Sequence, residues 1–392
     1  MKNNLKKTCV FCVFLAFLLT FAPVLSVSAQ RRDIEAVKSG VNLELSANSA
    51  CLADFSTGEI LYEQNADAKA EPASVTKIMS LLLVCEALDD GIIKLDDTVT
   101  ASDYASSMGG SQIWLEPGEQ MSVSDMIKAV AVVSANDCTV ALAEHLAGSE
   151  EAFTARMNKR ALELGMENTH FSNCTGLPTE NHYSTARDIA IMTRELLKHE
   201  LIFDYTTIWM DSLRNGEMGL SNTNKLIRFY HGANGMKTGY TDSAKYCLSA
   251  TAKRGDLQLI AAVLTAPTSN DRFNDAKKML DFGFANFALY NTTQVSLPEI
   301  RVKGGVKTYT TPVHALGSIL IAKGRDKLVE THPELPEFIE APAKKGDVIG
   351  KIVYKIGDDV ISETDVILNE DVRRVTFSDI IKSLVSGTLL FR

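Results

Sequence analysis

A serine and a lysine stand three positions apart within residues 72–77, where the sequence predicts the start of a helix. Residues at i and i+3 share one face of a helix, about one turn apart. An amine held that close to a hydroxyl can act as its base, so Ser74 and Lys77 form a candidate nucleophile and activator. The pair alone is a weak signal, because an ordinary surface helix start often contains it by chance.

Two further polar motifs follow in the chain. Ser134 and Asn136 interrupt an apolar helical pattern over residues 122–147, where such side chains compete for backbone hydrogen bonds and favour a local break. Burying polar side chains inside a helical pair costs free energy, which suggests that these residues have a functional role. The third motif lies at a predicted strand edge and consists of Lys237, Thr238 and Gly239.

Together the motifs contain the parts of an acyl-transfer site. Ser74 would attack an acyl carbonyl, and Lys77 must be neutral to take its proton. Burial and the nearby charge of Lys237 are both expected to lower the pKa of Lys77. Ser134 could instead relay the proton between Lys77 and the leaving amine, so two candidates for the acylation base stay open.

The other polar groups suit substrate binding. Asn136 has a donor and an acceptor, with which it could hold a substrate amide or orient Lys77. The fixed charge of Lys237 and the hydroxyl of Thr238 both suit a substrate carboxylate.

Main-chain groups complete the predicted site. Gly239 lets the strand edge approach a substrate backbone closely. The N–H groups of Ser74 and Tyr240 are predicted to form an oxyanion hole. This chemistry calls for no metal and no organic cofactor.

The elements that must position these groups are read from hydrophobic periodicity. Residues 73–88 are apolar on nearly every face, which predicts a helix buried inside a domain. Further elements are expected as a hairpin over 50–63, helices over 150–164, 185–199 and 272–287, and strands over 246–252 and 257–264.

The character of the chain changes after residue 290. Short strand-like runs and regular turns predict a small all-β domain over residues 291–372. Residues 373–392 predict an amphipathic helix, which either associates with a membrane surface or packs on the β domain. Its apolar face consists of Phe377, Ile380, Ile381, Leu384 and Val385.

The first 29 residues are typical of a secretory signal. Three lysines precede an apolar run, and small residues end it at Ala29. The alternative is an uncleaved membrane anchor. The sequence thus predicts an exported protein with a catalytic domain over 30–290, at the outer face of the cytoplasmic membrane, in the periplasm or in the cell wall.

Charge and cysteine content narrow the function further. The formal net charge is −9, and removal of three lysines with residues 1–29 makes it −12, which argues against nucleic-acid binding. Five scattered cysteines follow residue 29, without zinc-site spacing. Cys85 and Cys138 lie in apolar helical patterns and are expected to be buried free thiols.

The chain resembles the low-molecular-mass penicillin-binding proteins that are serine-type D-alanyl-D-alanine carboxypeptidases. The likeness, which extends over nearly the whole chain, is carried by the three motifs and by residues 107–111, 170–173, 176–177 and 183–188. It implies an α+β, transpeptidase/β-lactamase-like catalytic domain, in which an antiparallel sheet packs with a helical cluster. A small all-β domain and a C-terminal amphipathic helix follow.

The resemblance also implies an activity. Members remove the terminal D-alanine from peptidoglycan stem pentapeptides through an acyl-enzyme, here on Ser74, and β-lactams are trapped covalently there. Arg272 stands where the family has an arginine that helps to bind the terminal carboxylate.

Alternative functions remain at this stage. A D,D-endopeptidase would use the same site, and a β-lactamase needs a Glu-x-x-x-Asn loop that we do not find between the second and third motifs. A non-catalytic penicillin-binding sensor or wall-binding protein is disfavoured by the intact Ser74, Lys77 and Lys237.

For two local features the sequence makes predictions that a structure can check. Lys245 follows Ala244 where the family usually has glycine, so a positive φ there would strain the backbone. His170 and His182 lie near the predicted cleft, and we expect structural roles for both.

Overall fold

The computed structural model describes residues 32–389. The predicted signal over residues 1–29 lies outside the described residues. Helices alternate with strands over the first two thirds of the chain, and strands dominate the last third. No helix within residues 32–389 is long and apolar enough to cross a bilayer.

The described helices are α1 (Arg32–Lys38), α2 (Lys77–Asp89), α3 (Asp103–Ser106), α4 (Val123–Val133), α5 (Asn136–Ala147), α6 (Glu150–Glu163), α7 (Ala186–Leu196), α8 (Phe203–Thr206), α9 (Leu226–Phe229), α10 (Ser269–Asn286) and α11 (Phe377–Leu389). The strands of the first part are β1 (Ser49–Asp54), β2 (Ile60–Gln64), β3 (Thr98–Thr100), β4 (Gln120–Ser122), β5 (Met210–Leu213), β6 (Met218–Ser221), β7 (Ala233–Thr241), β8 (Lys245–Arg254) and β9 (Leu257–Ala266). Those of the last part are β10 (Phe287–Asn291), β11 (Ile300–Lys303), β12 (Tyr309–Thr310), β13 (Pro312–His314), β14 (Ser318–Ala322), β15 (Val329–Glu334), β16 (Phe338–Glu340), β17 (Val348–Ile356) and β18 (Asp359–Leu368).

The main sheet has the strand order β2-β1-β9-β8-β7, with antiparallel pairing throughout. Its centre, β9, is apolar and buried along almost its whole length. Strands with both faces covered read as continuous apolar runs, which explains why the sequence located this strand. The strand β7 forms one edge of the sheet and carries the third motif.

The helix that carries Lys77 is as buried as its sequence predicted, but its first turn differs from the prediction. A 3₁₀ turn over Ala73–Thr76 precedes α2, and Ala73 has a φ of 48°. Pro72 has no N–H to donate at the start of this turn. Gly176 packs so closely against the turn that a Cβ there would lie 1.9 Å from the carbonyl oxygen of Ala73. The turn is therefore shaped by a loop about 100 residues away, which local periodicity does not record.

The predicted helix break is present. Ser134 ends α4 in the left-handed conformation, with φ 68° and ψ 32°. A non-glycine residue in this region is uncommon and concentrates at functional sites. The cap predicted at the N-terminus of α4 is also present, because the Ser122 side chain accepts a hydrogen bond from the Asp125 N–H.

The last third of the chain is built of three small sheets, so the α+β class with a following all-β domain is confirmed. The strand β10 continues directly from α10 and pairs with β14. Strand structure thus begins at Phe287, slightly before the predicted change at residue 291, because a helix end and an immediate strand leave no turn signal between them.

The helices at the two ends of the described chain, α1 and α11, differ in burial. The sequence predicted nothing for α1, although Ile34 is fully buried against the core that includes Leu320. In α11 the apolar face is exposed rather than buried against the β domain; Phe377 is 78% and Leu384 67% exposed.

The five cysteines after residue 29 are all buried and free. Burial raises the pKa of the Cys85 thiol to about 12, so it behaves as a small apolar side chain.

Candidate active site

Ser74 and Lys77 meet where the 3₁₀ turn joins α2. The Nζ of Lys77 donates to Ser74 Oγ at 3.1 Å and to the Thr175 carbonyl at 2.6 Å. Lys77 is completely buried, and this desolvation lowers its pKa to about 7, against smaller raising effects of Cys174 and Asp137. An amine with that pKa is about half neutral at pH 7 and largely neutral above it, so it can accept a proton from a neighbouring hydroxyl.

A second buried lysine lies on the opposite wall. Lys237 in β7 donates to the Thr238 carbonyl at 3.0 Å. Its pKa is well below the ordinary range because of burial first, then the charges of Lys77 and Arg272. The sequence predicted that burial and the charge of Lys237 both lower the pKa of Lys77. In the structure burial is the cause that lowers the pKa of Lys77. The repulsion between the two lysines instead lowers the pKa of Lys237.

Ser134 and Asn136 lie at the junction of α4 and α5, beside Asp137, whose charge acts on Lys77. Both side chains are buried, and within the described chain neither Ser134 Oγ nor Asn136 Oδ1 has a hydrogen-bond partner. Buried polar atoms are almost always paired, so unpaired ones at a conformational outlier are available to a ligand. The Asn136 amide is held by a bond from Nδ2 to the Gly109 carbonyl, 2.7 Å long.

The loop that holds Asn136 is fixed by residues that the sequence reading missed. The buried Asp137 carboxylate accepts the N–H groups of Ile113 and Leu115 at 3.0 and 3.1 Å. From the other side Arg214 donates to the Ile113 carbonyl at 2.9 Å. An aspartate directly after Asn136 at a helix N-terminus was the available signal for the first of these contacts.

The glycine of the third motif makes room for the serine turn. A Cβ at Gly239 would lie 2.8 Å from the Pro72 carbonyl oxygen and 3.1 Å from the Ser74 nitrogen. The close approach thus involves the chain itself, whereas the sequence reading assigned it to the substrate. Beside it, Thr238 Oγ1 donates to Thr223 Oγ1 at 2.8 Å.

Arg272 lies behind the strand edge. It is nearly buried, and its guanidinium donates to the carbonyls of Gly239 and Cys247 at 2.8 and 3.3 Å. The same group lies over the rings of Tyr246 and Phe273. In this arrangement the arginine braces β7 against β8, and its charge reaches the cleft through space.

The outer end of β7 carries Tyr240, which is half exposed and packs on Tyr246 with ring centroids 4.5 Å apart. The turn that follows is strained where the sequence departs from the family. Lys245 has a φ of 58°, so the backbone here does adopt the positive φ that would strain a lysine. A side chain there costs about 1 kcal/mol.

His182 has the structural role that we expected. Its Nδ1 accepts the Ser172 N–H at 3.1 Å, which assigns the ring proton to Nε2, 2.8 Å from Thr76 Oγ1. Burial, with smaller effects of the charges of His170 and Lys77, lowers the pKa of His182 to about 4. A neutral histidine therefore supports the turn between Ser74 and Lys77.

Comparison with known proteins agrees with this geometry. The sequence profile of the D-alanyl-D-alanine carboxypeptidase family matches residues 35–268. The D-alanyl-D-alanine carboxypeptidase DacF of Bacillus subtilis is 43% identical over 387 residues, covering 96% of this chain and 97% of the relative. The chain belongs to the D-alanyl-D-alanine carboxypeptidase family.

Solved structures extend the likeness to this family. Penicillin binding protein 5 of Haemophilus influenzae superposes with a TM-score of 0.77 at 33% identity, covering 85% of this chain and 99% of that one. Penicillin-binding protein D2 of Listeria monocytogenes, in its ampicillin-bound form, gives a TM-score of 0.55 at 34% identity, covering 62% of this chain and 99% of that one. The profile of the penicillin-binding protein 5 C-terminal domain matches residues 300–374.

Proposed function

We propose that Ser74 is the nucleophile with which this family member removes the terminal D-alanine of peptidoglycan stem pentapeptides, and that β-lactams acylate the same oxygen. The chain is a serine-type D-alanyl-D-alanine carboxypeptidase and therefore a hydrolase. The assignment of residues depends above all on one observation: Ser74 Oγ lies 3.1 Å from the amine of a completely buried lysine whose pKa is about 7.

Acylation follows from this pair. Neutral Lys77 takes the hydroxyl proton while Ser74 Oγ attacks the carbonyl carbon of the penultimate D-alanine. The N–H groups of Ser74 and Tyr240 stabilise the oxyanion, which the close packing of Gly239 on the serine turn supports. The C–N bond then breaks, and the leaving amine of D-alanine receives the proton from Lys77, directly or through Ser134.

Deacylation uses the same groups. A water molecule attacks the ester carbonyl and gives its proton to the amine of Lys77, directly or through Ser134. The ester C–O bond breaks, and the returning proton regenerates the Ser74 hydroxyl. With a β-lactam the ring C–N bond breaks instead, and the amine stays tethered to the acyl group.

Lys237 and Thr238 recognise the terminal carboxylate. A carboxylate beside Lys237 would favour its charged form and raise its lowered pKa, so binding is coupled to proton uptake. Thr238 Oγ1 supplies a hydroxyl donor, and Arg272 adds positive charge from behind the strand. Substrates with a free carboxylate are therefore favoured over their amides.

The test combines two measurements on the same sample. Wild-type protein should gain one penicillin by intact mass, mapped to Ser74, and release free D-alanine from a diacyl-D-Ala-D-Ala peptide. Ser74→Ala should lose both while its thermal unfolding is unchanged, and Ser56→Ala, at an exposed turn serine, should lose neither. An adduct without D-alanine release would indicate a sensor, rapid penicillin turnover a β-lactamase, and absence of a Ser74 adduct would refute the assignment.

We also propose that the protein is exported, with boundaries near residues 29, 290 and 372, and that α11 binds a membrane surface. The exposed apolar face of α11 supports the last point, although basic residues are sparse there. A chain ending at Arg374 should stay in the supernatant when pelleted with anionic vesicles, and the full chain should pellet. Equal pelleting of both chains would reject the proposal.

A further inference from the structure

We propose that Glu150 is a positioning residue for catalysis, which sets the orientation of the Lys77 amine by holding the loop that accepts its hydrogen bond. This inference rests on the proposed role of Lys77. Glu150 does not contact Ser74 or Lys77, and it is not part of the three motifs.

The Glu150 carboxylate is largely buried at the start of α6 and holds two separate segments. Its Oε1 accepts from the backbone N–H and the Sγ–H of Cys174, at 3.0 and 3.1 Å. Its Oε2 accepts from the Tyr104 hydroxyl at 2.6 Å. The donors to this buried carboxylate are thus a backbone N–H, a thiol and a hydroxyl, all uncharged.

The first segment leads directly to the catalytic amine. The residue after Cys174 is Thr175, whose carbonyl accepts from Lys77 Nζ at 2.6 Å. The same peptide is held from the other side by Ser80 Oγ, which donates to the Cys174 carbonyl at 2.6 Å. Asn173 Oδ1 accepts the Thr175 N–H at 3.1 Å and closes the turn.

The direction of this carbonyl matters because a neutral amine has two N–H groups and one lone pair. When one N–H is committed to Thr175, the lone pair can turn only within a narrow range. Proton transfer from Ser74 requires that the lone pair point at the hydroxyl. A shift of the Thr175 carbonyl would therefore weaken catalysis without removing any catalytic group.

The second segment leads to the opposite motif. Tyr104 belongs to α3, which continues into the loop whose Gly109 and Ser111 carbonyls accept from the side chain and backbone of Asn136, both at 2.7 Å. One carboxylate thus ties together the supports of Lys77 and of Asn136. Truncation of either contact would loosen one support, and loss of the carboxylate would loosen both.

Glu150 also has an ordinary explanation, since an acidic residue in the first turn of a helix interacts favourably with the helix dipole. Glu151 occupies the same first turn but is exposed and lies outside this network. Glu151→Ala is therefore a matched control, which removes an equal charge from the same turn.

The experiment measures the second-order rate constant for acylation by a fluorescent penicillin, from well below to well above pH 7, together with thermal unfolding. Glu150→Ala should lower the high-pH plateau by at least about tenfold. Tyr104→Phe, which keeps the Cys174 contacts, should lower it by about two- to threefold. Glu151→Ala should match the wild type.

The pH dependence separates positioning from general destabilisation. Lys77 is faced by Asp137 from α5, Cys174 and His182 from the loops, and Lys237 from β7. Glu150→Ala leaves Asp137, His182 and Lys237 in place but frees Cys174 and weakens the Thr175 bond to the charged amine, so the acid limb should move to lower pH. Loss of folded protein would instead scale the rate equally at every pH.

Glu150→Gln keeps one acceptor for Cys174, so it should recover part of the plateau lost in Glu150→Ala and remains informative if the alanine variant does not fold. Wild-type acylation at every pH by all Glu150 variants would overturn the inference while leaving the proposed function intact. Absence of a Ser74 adduct in the wild-type protein would instead overturn the proposed function itself.

Discussion

The two walls of the cleft each contain a buried lysine, and the lysines are held in different ways. On the helical wall, Lys77 donates to Ser74 and to the carbonyl of Thr175, which is 98 residues away in the chain. On the strand wall, Lys237 donates to the carbonyl of the next residue, Thr238. The amine of Lys77 is therefore held by a tertiary contact, and that of Lys237 by a local one.

The two lysines are suited to different roles. Lys77 lies beside the proposed nucleophile, Ser74, and its pKa of about 7 suits the role of base that we propose for it. Lys237 is desolvated by burial and repelled by Lys77 and Arg272, so its charged form needs a compensating anion. In the function that we propose, Lys77 therefore transfers the proton and Lys237 recognises the carboxylate.

The largest expected effect comes from the helical wall. Lys77→Arg keeps a cation but removes a group that can deprotonate, so acylation of Ser74 should slow by about 10³-fold. The rate of fluorescent penicillin labelling measures this change, with thermal unfolding as the check on folding. An acylation rate within a few-fold of wild type would mean that Lys77 is not needed as a base.

An intermediate effect is expected from the strand wall. Lys237→Gln should lower kcat/KM for a D-Ala-D-Ala peptide by about 10- to 100-fold, because a charged hydrogen bond to the carboxylate is lost. The matched substrate is the same peptide with a C-terminal amide, on which the substitution should have little effect. An equal loss on both peptides would show that Lys237 acts on the chemistry and not on the carboxylate.

The smallest effect concerns the turn at the end of the strand wall. Lys245→Gly relieves a φ of 58° and should raise the free energy of unfolding by up to about 1 kcal/mol, measured by denaturant titration. Lys253→Gly in the regular part of β8 is the control and should lower it. Destabilisation by Lys245→Gly would mean that the lysine side chain makes a compensating contact.

Elements with strong local signals were predictable from the sequence. The helix around Lys77 is apolar on all faces, and Ser134 and Asn136 stand out as polar residues in an apolar run. The sheet strand β9 is a continuous buried run. In these places periodicity and composition report the environment directly.

Contacts between distant segments were not predictable. Glu150 looks like a first-turn helix acid, and only the fold brings it to Cys174 and Tyr104. Gly239 was read as a substrate contact, but the atoms it avoids belong to the serine turn. α1 was missed because its burial depends on the β domain, more than 280 residues later in the chain.

The neutrality of Lys77 is the central claim, and the pH dependence of wild-type acylation tests it most directly. A protonated amine cannot accept the Ser74 proton, so the acylation rate constant should fall as the pH drops through about 7 and be level above it. Lys237→Gln should leave this midpoint nearly unchanged, because burial, and not the charge of Lys237, lowers the pKa of Lys77. A rate that is constant through pH 7, or that rises only near the ordinary lysine pKa of 10.5, would contradict the account.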